Sequence, residues 1–264
     1  MKRVLLMASI FVLAASSWAF AHIPNILTHD TTADYSVSIN APIEKSVAYY
    51  ATFEFPGDVD TYGFTLAASD FDPSLTLTDI KKVVNKLVVN APNGMPGRLL
   101  HVGSLVPACG VYANMLPTVA IVGPMQDALP AYDGSVALPA GVNIAPHEGV
   151  LFLQNPTQGP IWYEKFTYKS YFNQKKADII ITEQGDYRIY IWDTNRNVGD
   201  YVLETGPIEV FGFAEIMQTL FWVEHIVYDG EISNCTCKNQ LKALDGANPS
   251  VIKMISDYTK MFSN

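Results

Sequence analysis

Cysteine is scarce in this chain: it has three, Cys109, Cys235 and Cys237. An odd number leaves one thiol outside any intramolecular pairing. Only Thr236 separates Cys235 from Cys237, and a bridge that short is strained. Cys109 with one of the two is therefore the better pair. No cysteine stands in a C-x-x-C-H motif, which excludes a c-type haem attachment, and none follows Ala21 to suggest a lipoprotein anchor. Basic charge is also short, with 17 Lys and Arg against 26 Asp and Glu and a formal net charge of −9. A surface of that sign repels phosphate backbones, so no nucleic-acid partner is expected. The short motifs that announce a reaction are missing too. There is no Gly-x-Ser-x-Gly elbow, His-Glu-x-x-His pair, P-loop or Gly-x-Gly-x-x-Gly turn. His147-Glu148 lacks the second histidine that a zincin needs. A serine triad assembles in space rather than in sequence, and no spacing here favours one. No internal repeat or low-complexity linker divides the chain.

What is present begins with a leader. Lys2 and Arg3 make a positive start, Val4 to Trp18 is apolar but too short and wrongly flanked to span a bilayer, and Ala19-Phe20-Ala21 is an A-x-A cleavage site. Residues 1–21 are therefore expected to be a signal peptide and the product to be secreted, periplasmic or extracellular. The cut leaves 243 residues starting at His22, with a net charge of −11 once Lys2 and Arg3 are gone. That length holds one large β domain or two small ones.

The body reads as strands and turns. Val47 to Phe55 is rich in aromatic and β-branched residues, Pro56-Gly57-Asp58 closes it, and Thr61 to Ala67 follows, so the two are expected to form a hairpin. Pro117 to Pro124 is a short apolar run between breakers and fits a strand buried on both faces. Trp162 to Phe172 alternates, with Trp162, Phe166, Tyr168 and Phe172 on one row and Lys165, Thr167 and Lys169 on the other. Period two predicts one strand with a core face and a wet face. Asp178–Thr182, Tyr187–Trp192 and Tyr201–Leu203 are further strands, the last returning after the polar loop 193–200. Many short strands with regular turns predict an all-β sandwich over residues 22–211.

Two segments break the pattern. Asp79 to Val89 spaces Ile80, Val83, Val84, Leu87 and Val88 by three and four, which suits a helix, although its β-branched content leaves a strand open. Residues 212–264 read as a helical tail. Phe213–Tyr228 runs without a breaker through Ile216, Met217, Leu220, Phe221, Val223, Ile226 and Val227. At sixteen residues, interrupted by Glu215, Glu224 and His225, it falls short of a transmembrane span. It is expected to contact a protein or envelope partner, or the membrane periphery. Asn248-Pro249 then caps a last amphipathic helix.

Two stretches resemble a known type of module. Gly57-Asp58-Val59-Asp60-Thr61-Tyr62-Gly63-Phe64 resembles the aspartate-rich strand start of pre-peptidase C-terminal modules. Gly185 to Trp192, with Gly199 to Leu203, resembles their paired closing strands. The chain is also similar to a group of uncharacterised secreted prokaryotic β-sandwich proteins. Three marks carry this: Ala21-His22-Ile23-Pro24 at the cut, Gly123-Pro124 after a buried strand, and Glu164-Lys165-Phe166-Thr167, with lysine where the group has proline. The stretch from Leu75 to Leu105 does not align. The resemblance implies a jelly-roll-like sandwich and export. It implies no reaction, since fold does not fix function.

Three constellations bear chemistry. After the cut, His22 offers an α-amine and an imidazole nitrogen that can chelate one metal, and a second histidine completes a three-nitrogen site suited to Cu(II). His29, His101, His147 and His225 are available, with His147, on the turn Pro146-His147-Glu148-Gly149, the first choice and His29 close in sequence. The plain alternative is a frayed terminus that binds nothing. Calcium is the second candidate, on Asp58 and Asp60, Asp70 and Asp72, and the loop Asp193-Thr194-Asn195-Arg196-Asn197. Arg196 and the missing glutamate weigh against it, and aspartate is ordinary in β turns. Third, Tyr163 and Tyr171 on the wet row could stack on sugar rings, although cross-strand pairing is commoner. The sequence thus favours a non-catalytic binding or structural module of the envelope or extracellular space, ahead of a copper carrier or oxidase and a carbohydrate-binding module.

Overall fold

The computed structural model describes residues 22–27, 36–39, 42–78, 82–108, 112–164 and 169–210. Over these residues the chain is all-β, interrupted by one 3-10 turn at Ala68–Phe71. Residues 1–21, His29, the three cysteines, Phe213–Tyr228 and the remainder of 211–264 lie outside the described residues. No helix among the described residues is long and apolar enough to cross a membrane.

Two sheets hold most of the chain. The first runs in the order β1 (Ile23–Ile26), β3 (Val47–Phe53), β15 (Gly199–Thr205), β8 (Pro96–Pro107), β12 (Lys169–Asn173), β11 (Ile161–Glu164). Two more strands, β13 (Ala177–Ile181) and β7 (Val88–Asn90), also pair with β8, whose 12 residues give room for four partners. The second sheet runs β10 (Glu148–Leu153), β9 (Pro117–Pro124), β14 (Gly185–Asp193), β4 (Val59–Leu66), β2 (Ser36–Ser38). A small ribbon pairs β5 (Thr76–Thr78) with β6 (Val84–Lys86).

The sheets share one apolar core. Tyr49, Phe53, Leu100 and Leu203 reach it from the first sheet, and Tyr62, Phe64, Ile121 and Ile189 from the second. Alternation sends the intervening residues the other way. Tyr201 and Leu203 face the shared core, while Val202 joins Ala48, Tyr50, Leu105 and Tyr171 on the opposite face of the first sheet. The outer face of the second sheet, with Ala120, Val122, Tyr190 and Trp192, is covered by Tyr132, Val136, Val142 and Ile144 of the long β9–β10 connection. That coverage explains why β9 is apolar on both faces, as its run between prolines predicted. Gly123 has a packing role: a Cβ there would lie 2.3 Å from the Tyr187 ring, which stacks on Phe64 at 5.1 Å.

Several expectations are corrected. The strands flanking Pro56-Gly57-Asp58 are not a hairpin: β3 pairs with β1 and β15, whereas β4 pairs with β14 and β2. The turn carries the chain from one sheet to the other. The same holds for β14 and β15, which sit in different sheets rather than beside each other. Trp162–Phe172 is not one strand. It is the pair β11 and β12, which places Trp162 opposite Tyr171 and Glu164 opposite Lys169. Within 82–90 there is no helix but β6 and β7. Lys82 sits at φ 60, which a right-handed helix does not tolerate, and Val83 and Val84 are half-exposed rather than gathered on a buried stripe.

Candidate functional site

The chemistry-bearing side chains gather around the first residue of the expected mature chain. β1 runs parallel to β3, with Ile23 opposite Val47. The Ile23 amide donates to the Ser46 carbonyl at 3.2 Å, and the Leu27 amide to the Tyr50 carbonyl at 3.0 Å. This register brings the His22 ring against two partners. Its Nδ1 meets the Ser46 hydroxyl, and its Nε2 lies 3.2 Å from Glu204 Oε1 on β15. Lys176 Nζ, from the turn between β12 and β13, pairs with Glu204 Oε2. Gly103 on β8 makes room for it, since a Cβ there would fall 2.7 Å from the Lys176 side chain. The same ammonium stands 6.0 Å from the centroid of the Trp162 ring.

Glu204 is almost wholly buried, and burial alone would push its carboxyl up. The His22 hydrogen bond and charge, then the Lys176 charge and hydrogen bond, outweigh that and bring it from 4.5 to about 2. Glu204 is therefore an anion at neutral pH. Beside this cluster, burial and then the charges of Tyr171, Glu164 and Glu204 hold the Tyr50 phenol well above its ordinary range. Tyr50 is neutral at any physiological pH.

Ser46, His22 and Glu204 thus form a hydroxyl–imidazole–carboxylate chain, the order a serine nucleophile requires. Burial decides against that use. Ser46 is 1 % exposed, so an acyl substrate has no approach to its oxygen. Its backbone is fixed as well, since the amide donates to Ile208 O at 2.8 Å. What the arrangement does chemically is tie β1, an edge strand of four residues, to β3 and β15.

The other sequence candidates fall elsewhere. His147 is exposed in the turn before β10, in the second sheet, and its carbonyl accepts the Met125 amide. His101 Nδ1 lies 2.6 Å from Asp178 on the neighbouring β13. His29 and His225 lie outside the described residues. The aspartates proposed for calcium hold the chain itself. Asp58 accepts the Glu54 and Val59 amides, and Asp60 accepts the Tyr201 hydroxyl. Asp70 accepts the Ala67 amide and Asp72 the Ser74 amide. Asp193 accepts the amides of Leu116 and Asn197. Among the described residues no group of three His, Cys, Asp or Glu side chains is placed to hold a metal ion. The aromatic row is corrected too: Tyr171 is 2 % exposed and packs against the sheet, so it cannot stack on a sugar from solvent.

Sequence reasoning missed Ser46, Glu204 and Lys176. It also missed the buried pair of Glu44, before β3, and Arg98 on β8. Arg98 Nε and Nη2, one edge of the guanidinium, donate to the two carboxylate oxygens of Glu44, and Nη1 donates to Asp70 O at 2.7 Å. These contacts join positions 24 to 182 residues apart, and no local pattern marks them. Comparison with protein-family models finds none that matches the chain, and comparison with curated proteins finds no match.

Proposed function

We propose that the chain is a secreted or periplasmic, non-catalytic binding or structural module, built as a jelly-roll-like β-sandwich that resembles pre-peptidase C-terminal modules. One observation carries the reading. The expected cut after Ala21 falls one residue before β1, and the residue it would free is anchored by Ser46 and Glu204. A processed terminus would thereby be a built part of the first sheet. The carboxylates support the non-catalytic side, because Asp58, Asp60, Asp193 and Glu204 are spent on holding backbone and strands together. The test is to express the whole chain in a secreting host, fractionate it, and sequence the amino terminus of the product. His22 as first residue, outside the cytoplasm, is the expected result. An intact leader on cytoplasmic protein overturns the reading. Treatment with a fluorophosphonate probe checks the second half, since covalent labelling of Ser46 would make the chain a hydrolase.

Copper is the alternative, favoured by the 20 % exposure of the His22 side chain at the head of β1. Chelation through the α-amine and Nδ1 would require Nδ1 to leave Ser46. Ser46→Ala should then raise Cu(II) affinity, while one extra residue before His22 should abolish most of it, as read by electron paramagnetic resonance. Equal binding by all three proteins removes the copper site.

A further inference from the structure

The two sheets bury their outer faces differently. On the second sheet the described β9–β10 connection supplies the cover. On the first, Ala48, Tyr50, Leu105, Tyr171 and Val202 are all 6 % exposed or less. The only described apolar neighbours packed on them are Ile26 and Trp162, both half-buried members of the same sheet. A sheet face turned to water keeps its side chains partly wet. These five are dry, so the face calls for a cover.

We propose that this outer face is the seat of the chain's own C-terminal segment, residues 211–264, which closes the first sheet as the β9–β10 connection closes the second. Three observations select this occupant. The chain leaves β15 beside the start of β3, in this same sheet: Ile208 bridges to Lys45, its amide donates to Glu44 O at 2.7 Å, and Val210 is buried. The segment carries the required surface, since Ile216, Met217, Leu220, Phe221, Val223, Ile226 and Val227 exceed what one stripe on a helix needs. The other stretches outside the described residues of the mature body do not suit: Thr28–Tyr35 is mostly polar, and 40–41, 79–81, 109–111 and 165–168 have two to four residues each. Six strands, at about 4.8 Å apart, make a face too broad for any of them.

The experiment uses the full mature chain, 22–264. Amide exchange followed by mass spectrometry should find peptides from 213–228 protected at least about tenfold over the free peptide. Leu105→Ser should release that protection while β9 and β14 peptides stay protected. As a second measurement, a short lysine-reactive cross-linker should join Lys176 to Lys238 or Lys242 within one copy. Free-peptide exchange overturns the proposal. So does protection that survives Leu105→Ser, depends on protein concentration (a second copy as occupant), or appears only with anionic lipid vesicles. Should Leu105→Ser unfold the sheets, the cross-link decides alone, and its absence from the monomer counts against the seat.

Discussion

Arg98→Ala is expected to cost about 3–5 kcal/mol of folding stability, a fall of roughly 10 °C in Tm for a chain of this size. Arg98 is 3 % exposed and Glu44 1 %, so truncating the arginine strands a carboxylate away from water. The loss has a second part, because Nη1 also donates to the Asp70 carbonyl and holds the 3-10 turn against β8. Glu44→Ala should cost a similar amount, since it strands a buried guanidinium instead. The double variant Glu44→Leu, Arg98→Met should recover most of either loss. Desolvating two charges nearly cancels their attraction, and two apolar side chains of similar length cost little in their place. Denaturant unfolding with an unchanged slope is the measurement. If the double variant is as unstable as Arg98→Ala, the pair is not the source of the loss.

Strands were legible in the sequence and their partners were not. β9, β13, β14 and β15 fall where breakers and β-branched runs predicted them, because those signals are local. Pairing depends on which face of each run meets which sheet. β3 is buried nearly throughout rather than alternately, so nothing in its pattern told a hairpin from a crossover between sheets. Pro56-Gly57-Asp58 reports that the chain turns, not where it goes. The run Trp162–Phe172 alternates regularly, yet folding it back between Glu164 and Lys169 pairs two opposite charges across the ladder, an option that periodicity cannot weigh. At the site, His22 was legible because the cleavage site expected from the sequence falls beside it. Its partners were not: Ser46 reads as an ordinary turn residue, and Glu204 occupies an outward position in a strand that could equally have faced water.

Glu204→Gln is expected to remove about 3 kcal/mol of stability at neutral pH and almost nothing near pH 2. The carboxyl goes from 4.5 to about 2 on folding, so its folded value is the lower one. A group depressed in this way contributes its full stabilisation above the unfolded value, and loses it as pH falls through 4.5 toward 2. Burial opposes that contribution; the His22 hydrogen bond and charge, with Lys176, supply it. Glutamine keeps the shape but carries no charge at any pH, so the difference between the two proteins isolates this one group from general acid denaturation. Unfolding curves of both at pH 7, 4 and 2.5 should converge as pH falls. Curves that stay equally separated at all three values would mean that the charge on Glu204 is not what holds the strand. The loss should also be local before it is global. The Ile23 and Leu27 amides, bonded to Ser46 and Tyr50, should exchange faster in Glu204→Gln at neutral pH, while amides of β9 and β14 in the second sheet hold theirs. Fraying confined to β1 is the outcome that ties the cluster to its place, because Glu204, Lys176 and Ser46 converge on the ring of His22, one residue ahead of the strand they secure.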